Sequence, residues 1–223
     1  MSKIFLRANL LHGAVLLMAS SLVDADQSSG DRLMLLSGGG NALDEWQEKS
    51  FEGETAYSLL KGKDGVVRAE SNGTASGLFL EREINIAEYP VLHWSWKVED
   101  GLGPHDERVK KGDDYAARVY VVVSGGLFFW KTIAINYVWS SNPKSEQPWP
   151  NAYAGDNAQM LALRGSTDRI GEWHFEARNL KSDFQQLFGK DIDVIDGVAI
   201  MSDTDDTGGS VKVEYGEIFL SKN

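Results

Sequence analysis

No cysteine occurs anywhere in the 223 residues. Neither a disulfide framework nor a cysteine-anchored lipoprotein is therefore available, and the folded part must be held by its core. No apolar run reaches the about 20 residues that a transmembrane helix needs. The five prolines form no Pro-rich linker, and no internal repeat or low-complexity block divides the chain, so one domain is expected. Cations are also short: 22 Lys and Arg stand against 33 Asp and Glu, a formal charge of -11. Such an acidic surface argues against nucleic acid and anionic membrane as main partners.

The chain opens on a targeting pattern. Lys3 and Arg7 supply a basic start, Leu10 to Val23 form a short apolar run containing His12, and Val23-Asp24-Ala25 has the small-x-small spacing of a signal peptidase site. Residues 1–25 read as a cleaved signal peptide, the alternative being a retained anchor. The mature protein is accordingly expected to be periplasmic or secreted, with no stable membrane insertion. Residues 26–42, polar and ending in Ser37-Gly38-Gly39-Gly40, are expected to be a flexible leader, and residues 43–223 one β-sandwich domain. A mature chain of about 200 residues buries roughly 70% of the surface its unfolded form exposes, enough to stand alone.

Short strand-like runs follow at regular spacing: Thr55 to Leu60, Val66 to Glu70, Ala75 to Glu81 and Val91 to Val98. Turn signals separate them, including Lys63-Asp64-Gly65 and Ser71-Asn72-Gly73. Asn72-Gly73-Thr74 also spells a glycosylation acceptor, but between two strands Asn-Gly reads as a hairpin turn. In Leu92 to Val98 the alternation sets Leu92, Trp94, Trp96 and Val98 on one face and His93, Ser95 and Lys97 on a wet one. That pattern places the tryptophans in the core rather than on a sugar-stacking platform.

The stretch from Gly112 to Ser140 reads as a long central hairpin around Ser124-Gly125-Gly126. Alternation puts Asp114, Arg118 and Tyr120 on one side and Tyr115, Val119, Val121 and Val123 on the other, with Asn136 on the return strand near Arg118. An arginine in so apolar a strand needs an acidic partner or open water; Asp203 and Asp205 are the candidates. The charged loop from Glu99 to Lys111 would rim whatever that face binds, and the proline-punctuated loop from Ser140 to Asn157 carries Trp149 and Tyr153 as a further aromatic pair. Strands over Gln159 to Arg164 and Trp173 to Arg178 precede one short helix, its start marked by the capping-box spacing of Ser182 to Gln185 and its stop by Gly189.

Asp203, Asp205, Thr207, Gly208 and Glu214 stand at positions one, three, five, six and twelve of an EF-hand-like loop. Oxygen ligands at that spacing can wrap Ca2+, which makes Asp203, Asp205, Thr207 and Glu214 the candidate ligands of a structural calcium. The flanks, Val194 to Met201 and Val211 to Leu220, read as strands and not helices, so a metal-free Asp/Gly-rich connection is the competing reading.

Trp94-x-Trp96-Lys97-Val98, Gly112-Asp113-Asp114 with Arg118-Val119, Tyr137-x-Trp139, and Asp203-Thr204-Asp205-x-Thr207-Gly208 together resemble an exported bacterial family called domain of unknown function 3047, over about Leu43 to Leu220. That family supplies no established activity to carry over. Trp46 with Thr55 to Leu59, and Val213 to Ile218, are also similar to galactose-binding-like jelly rolls, which implies carbohydrate binding and a structural calcium near the terminal strands. The expected fold is all-β: a single antiparallel β-sandwich of jelly-roll type with one short helix. The expected role is a ligand-binding module for carbohydrate or another polar, hydroxyl-rich molecule, through Asp113, Asp114, Arg118, Tyr120, Asn136, Trp149 and Tyr153. Two alternatives stand beside it: a glycan-cleaving lyase or hydrolase using Asp113, Asp114, Asp203 and Asp205 as paired carboxylates, and a cell-envelope domain that binds a protein partner.

Overall fold

The computed structural model describes residues 30–63, 65–127 and 129–223. The expected signal peptide, the first residues of the expected leader and Asp64 of the Lys63-Asp64-Gly65 turn lie outside the described residues. In chain order the elements are β1 (Arg32–Leu36), β2 (Trp46–Glu52), β3 (Ala56–Leu59), β4 (Val67–Asn72), β5 (Ala75–Asn85), β6 (Val91–Asp100), β7 (Ala117–Val123), β8 (Ile133–Trp139), β9 (Trp149–Asn151), β10 (Gly155–Arg164), β11 (His174–Asn179), α1 (Leu180–Phe188), β12 (Val194–Asp203) and β13 (Ser210–Ser221). They form a two-sheet sandwich. One sheet has six strands in the order β11-β6-β13-β4-β3, with β1 on β13 beyond β4; the other has seven in the order β2-β5-β12-β7-β8-β10-β9. Among the described residues no helix is long and apolar enough to cross a membrane.

Every described pairing is antiparallel except β8 with β10, which run parallel. Residues 140–154 form the crossover between them, and β9, within it, pairs with β10 at the sheet edge. The core lies between the sheets, where Trp94, Trp96 and Val98 of β6 and Val213, Tyr215 and Ile218 of β13 meet Val119, Val121, Ile135, Tyr137 and Trp139 of the central hairpin. Trp94 packs on Tyr137 with ring centroids 5.0 Å apart, and Trp96 meets Trp139 edge-on at 6.1 Å. These aromatic contacts are the core packing that the alternation of β6 predicts.

Five local expectations change. The Asn72-Gly73 turn exists, with Gly73 at φ +64°, but β4 and β5 belong to different sheets, so it is a crossing between sheets and not a hairpin. Residues Arg32 to Leu36, placed in a flexible leader, pair with β13 and bury Leu35 and Leu36; their apolar run outweighs the polar flanks. Strand β2 was not anticipated, because its WQEKSFE is charged as edge strands often are. Helix α1 begins at Leu180 with Asn179 as N-cap, its side chain accepting from the Ser182 N–H, so the cap stands three residues before Ser182; Gly189 ends it in the left-handed region at φ +65° as expected. Finally, the polar face of β6 is not wet throughout. Lys97 is buried against Glu214 and Glu99 and lies over the Trp173 ring.

Glu214 anchors that face. Burial pushes its carboxyl up, but hydrogen bonds from Lys97, Arg68 and Lys63 outweigh the burial and hold it at about 2.

The two core tryptophans differ in one respect that is measurable. Trp96 Nε1 donates to Glu176 at 3.0 Å, whereas Trp94 Nε1 is buried with no partner among the described residues. Trp96→Phe is expected to lose more stability than Trp94→Phe by about 1 to 2 kcal/mol, since only the former breaks a hydrogen bond to a charged acceptor. Urea unfolding of both variants measures this, and equal losses would contradict it.

Candidate functional site

The loop end of the sandwich collects most of the residues that the sequence singled out. Arg118, from the middle of the seven-stranded sheet, is 1% exposed. Its Nε donates to Asp203 Oδ1 at 2.8 Å and its Nη2 to Asp203 Oδ2, so the two side chains form a two-pronged pair. Nη2 also donates to the Asp113 carbonyl, Nη1 donates to the Tyr120 hydroxyl at 3.2 Å, and Asp113 Oδ2 lies 3.8 Å from Nη1. The guanidinium sits 4.2 Å from the centre of the Tyr115 ring. Asp203 is thus the acidic partner the strand required. Tyr115, expected with Val119 on the side opposite Arg118, lies instead beside Arg118. The reason is local: β7 starts only at Ala117, and strand alternation does not extend back through the Asp113 to Ala116 loop.

The remaining acids are held by donors from neighbouring loops. Asp114 accepts from the Asp206 N–H at 3.2 Å and from both the N–H and the hydroxyl of Thr207 at 2.6 Å. Asp113 accepts from Asn151 Nδ2 through both oxygens at 3.0 Å. Asn151 Oδ1 in turn accepts the Tyr153 and Ala154 N–H groups, and the Tyr153 hydroxyl donates to Asp206. Glu107, in the charged loop before the hairpin, is buried and accepts from Ser140 Oγ and from the N–H and hydroxyl of Ser141. Asn151, Asp206 and Glu107 were not identified in the sequence. Only the proximity of Asp206 to Asp205, and of Asn151 to Trp149 and Tyr153, hinted at a role.

The structure does not assemble the four calcium candidates. Asp203 is committed to Arg118, Thr207 donates its hydroxyl to Asp114, and Glu214 lies mid-strand on β13 facing Lys63, Arg68 and Lys97. An EF-hand-like loop needs its twelfth residue to fold back over the ion, and a residue locked in a sheet register opposite Arg68 and Lys97 does not do so. Asp205 lies with a different set: carboxylate oxygens of Asp114, Asp205 and Asp206 come within 4.8 Å of one another.

Two sequence candidates differ from the rest. Trp149 is buried, its Nε1 donating to the Tyr115 hydroxyl at 3.3 Å, with the Arg108 guanidinium 5.6 Å from its ring. Asn136, on β8 opposite Tyr120, is fully buried, and neither atom of its side-chain amide has a hydrogen-bond partner among the described residues. An unmet buried polar group costs about 1 to 3 kcal/mol.

Between the loop before the hairpin and the loop after it lies a cleft of about 500 Å³, lined by His105, Asp106, Arg108, Asn142, Ser145 and Trp149 among others. Its walls are fastened together: Asn142 Nδ2 donates to the His105 carbonyl at 2.8 Å, and His105 Nε2 lies 3.0 Å from the Asp114 carbonyl. A smaller cleft of about 190 Å³ on the other side of Ser140 is lined by Trp139, Asp168 and Ile170 among others.

Burial pushes the Asp113 carboxyl up, and Arg118 and Asn151 pull it down less strongly, leaving it at about 6. A carboxyl raised by folding binds a proton more tightly in the native state. Its contribution to stability is therefore present below the ordinary carboxylate range near pH 4 and lost as pH rises through 6. Relative to Asp113→Asn, the wild type should lose up to about 3 kcal/mol between pH 4 and pH 7. Denaturant titrations across that range test it, and a difference independent of pH would refute it. At neutral pH, Arg118→Met is expected to destabilise by about 3 to 5 kcal/mol, because it leaves Asp203 buried without its cation. A neutral effect in thermal unfolding would mean that the acids find other partners.

The chain is similar to the family 11 carbohydrate-binding module of a Clostridium thermocellum cellulosomal cellulase, at 14% identity and a TM-score of 0.48, over 87% of this chain and 96% of that one. It is also similar to the xyloglucanase domain of a Sinorhizobium fredii type three effector, at 11% identity and 0.46, over 80% and 95%. A third likeness is to the family 30 carbohydrate-binding module of a Clostridium thermocellum cellulosomal cellulase, at 10% identity and 0.43, over 85% and 92%. No curated protein matches the chain in sequence. A family model does match, over residues 44–219, a span that runs from just before β2 to near the end of β13 and takes in the Arg118 cluster and both clefts. The chain belongs to the family described as protein of unknown function (DUF3047).

Proposed function

We propose that this protein is an exported carbohydrate-binding module that holds its ligand in the cleft of about 500 Å³ at the loop end of the sandwich. That cleft is the observation on which the reading rests. Its volume falls in the range of small-ligand sites, about 300 to 1,000 Å³. Its lining mixes an indole wall at Trp149 with a guanidinium, a carboxylate, an amide and a hydroxyl, from Arg108, Asp106, Asn142 and Ser145. Donors and acceptors of both kinds around an aromatic wall suit a ligand whose hydroxyls each donate and accept. Arg108 makes no ion pair among the described residues and is exposed, so its N–H groups are available to a ligand, whereas those of Arg118 are not. Export follows from the basic start and short apolar run of residues 1–25.

Three of the four carboxylates considered for glycan cleavage are engaged within the fold, Asp203 and Asp113 by Arg118 and Asn151, and Asp114 by Asp206 and Thr207, while Asp205 lies with Asp114 and Asp206. The cleft is therefore read as a binding site. Calorimetric titration with neutral oligosaccharides from plant and bacterial glycans is expected to yield at least one binder. Arg108→Ala should weaken it about tenfold or more, the cost of one charge-assisted hydrogen bond, with an unchanged unfolding midpoint. Full affinity in Arg108→Ala, or no binder in the panel, would overturn the assignment.

A further inference from the structure

The end of the sandwich away from the cleft carries a feature that carbohydrate binding leaves unused. Strand β7 leaves the Arg118 end and β8 returns to it, and between them the chain turns through Ser124-Gly125-Gly126-Leu127-Phe128-Phe129-Trp130-Lys131. Connections between strands are ordinarily polar, and four consecutive apolar residues in one ask for a function. The first and last of the four face water, Leu127 at 95% exposure and Trp130 at 56%. Val194, which opens the neighbouring β12 at the same end, is 43% exposed. Half of the large apolar side chains exposed among the described residues thus gather here, the others being Val109, Ile170 and Phe175.

The tip is held from both sides. The Gly125 N–H donates to Thr132 Oγ1 at 3.0 Å and the Gly126 N–H to Ser124 Oγ at 3.1 Å. On one flank Asp196 of β12 accepts the Ser124 N–H at 2.7 Å, and on the other Asn157 of β10 donates to the Trp130 carbonyl at 3.0 Å. The fold therefore presents Leu127 and Trp130 outward at a fixed point.

Area and shape select what meets that point. An aromatic side chain carries about 150 to 250 Å², so Leu127, Trp130 and Val194 together fall well short of the about 800 Å² that each partner buries in a standard protein interface. A second copy of the chain would be held by no more. A bilayer requires no such area: it admits a protruding apolar point, and tryptophan settles at its headgroup level. Charge then selects the lipid. The flanking strands bring Asp156 and Asp196 to the tip against one cation, Lys131, on a chain of formal charge -11, and an anionic surface would repel that combination.

We propose that the β7–β8 tip is a peripheral membrane contact, reversible and driven by insertion of Leu127 and Trp130, that docks the domain on electrically neutral lipid with the cleft at the far end of the sandwich. The proposal rests neither on the cleft nor on the carbohydrate reading.

The test is flotation of the purified chain with vesicles of phosphatidylcholine alone and of phosphatidylcholine mixed with phosphatidylglycerol. Wild type should float with the neutral vesicles and gain nothing from the anionic lipid. Leu127→Ser should bind about tenfold more weakly or worse while melting with wild type, because so exposed a side chain adds little to the fold. Trp130 supplies a second readout. Emission should shift to the blue on neutral vesicles and Trp130→Phe should remove the shift, since Trp46, Trp94, Trp96, Trp139 and Trp149 are buried and keep their surroundings. All three proteins share the same N terminus, so a retained apolar leader would carry them alike. Equal flotation of wild type and Leu127→Ser, no flotation at all, or binding that needs the anionic lipid would each overturn the proposal. So would a dimer in sedimentation that Leu127→Ser takes apart, which would make a second copy the occupant.

Discussion

The buried pair between Arg118 and Asp203 is the constraint from which the loop end of this sandwich follows. Taking a guanidinium and a carboxylate out of water costs several kcal/mol for each ion, and their attraction repays it only when the remaining donors and acceptors are met. Here the surrounding chain is arranged to meet them. The Asp113 carbonyl and the Tyr120 hydroxyl take the other guanidinium donors, and the Tyr115 N–H donates to Asp203 at 3.2 Å. Those demands fix the Asp113 to Ala116 loop against β12 and turn Tyr115 onto the face that strand alternation would have denied it. The same point ties the two sheets together. The Tyr215 hydroxyl of β13 accepts from the Arg118 N–H and donates to the Met201 carbonyl at 2.7 Å, so it stands between two residues that face each other in the β7 and β12 register.

A second consequence concerns the acids. Asp113, Asp114, Asp203, Asp205 and Asp206 converge near one arginine, in a chain that already carries a formal charge of -11. Arg118 pairs closely with Asp203, and two of the others are held by dipoles: Asp114 by the N–H groups of Asp206 and Thr207, and Asp113 by the Asn151 amide. Burial displaces Asp113 to about 6 against the pull of Arg118 and Asn151, and it pushes the Asp203 carboxyl up as well despite its pairing with Arg118. Asn151, the loop partner of Asp113, also organises the turn that carries Tyr153, so the electrostatics of the hairpin entrance extend into the crossover between the two parallel strands.

What was legible in the sequence followed from period and from charge. The alternation in Leu92 to Val98 located the core face of β6, because an apolar stripe of period two has one stable orientation in a sandwich. Arg118 announced its need for an acid, and one of the two candidates, Asp203, meets it. What failed depended on long-range pairing. An Asn-Gly turn looks the same whether it closes a hairpin or passes the chain to the opposite sheet, as it does between β4 and β5. The Asp203 to Glu214 spacing matched a loop in one dimension, whereas Glu214 belongs to a strand whose register sets it among Lys97, Arg68 and Lys63. Strand β1 was hidden because five residues paired to β13 carry too little pattern to stand out from polar flanks. The roles of Asn151 and Glu107 were illegible for a related reason: each is defined by what it touches across more than thirty residues of chain.

The division of labour between charged and neutral groups follows from these energies. A charged side chain in an apolar strand attracts functional interest, yet it is the group the fold can least leave unsatisfied, since an unpaired buried charge costs far more than an unpaired amide. Folding therefore consumes Arg118, Asp203 and Asp114 as structure, and a ligand that sought them would have to displace bonds worth more than those it offered. A neutral amide can be left unmet at a cost the domain can bear. Arg108, on the exposed rim of the cleft, is a charged group of another kind, because water already solvates it and no ion pair among the described residues claims its donors. Recognition is expected to fall to such wet, uncommitted groups on the cleft rim, and the buried ion pair to serve as the frame that holds the loop end in place.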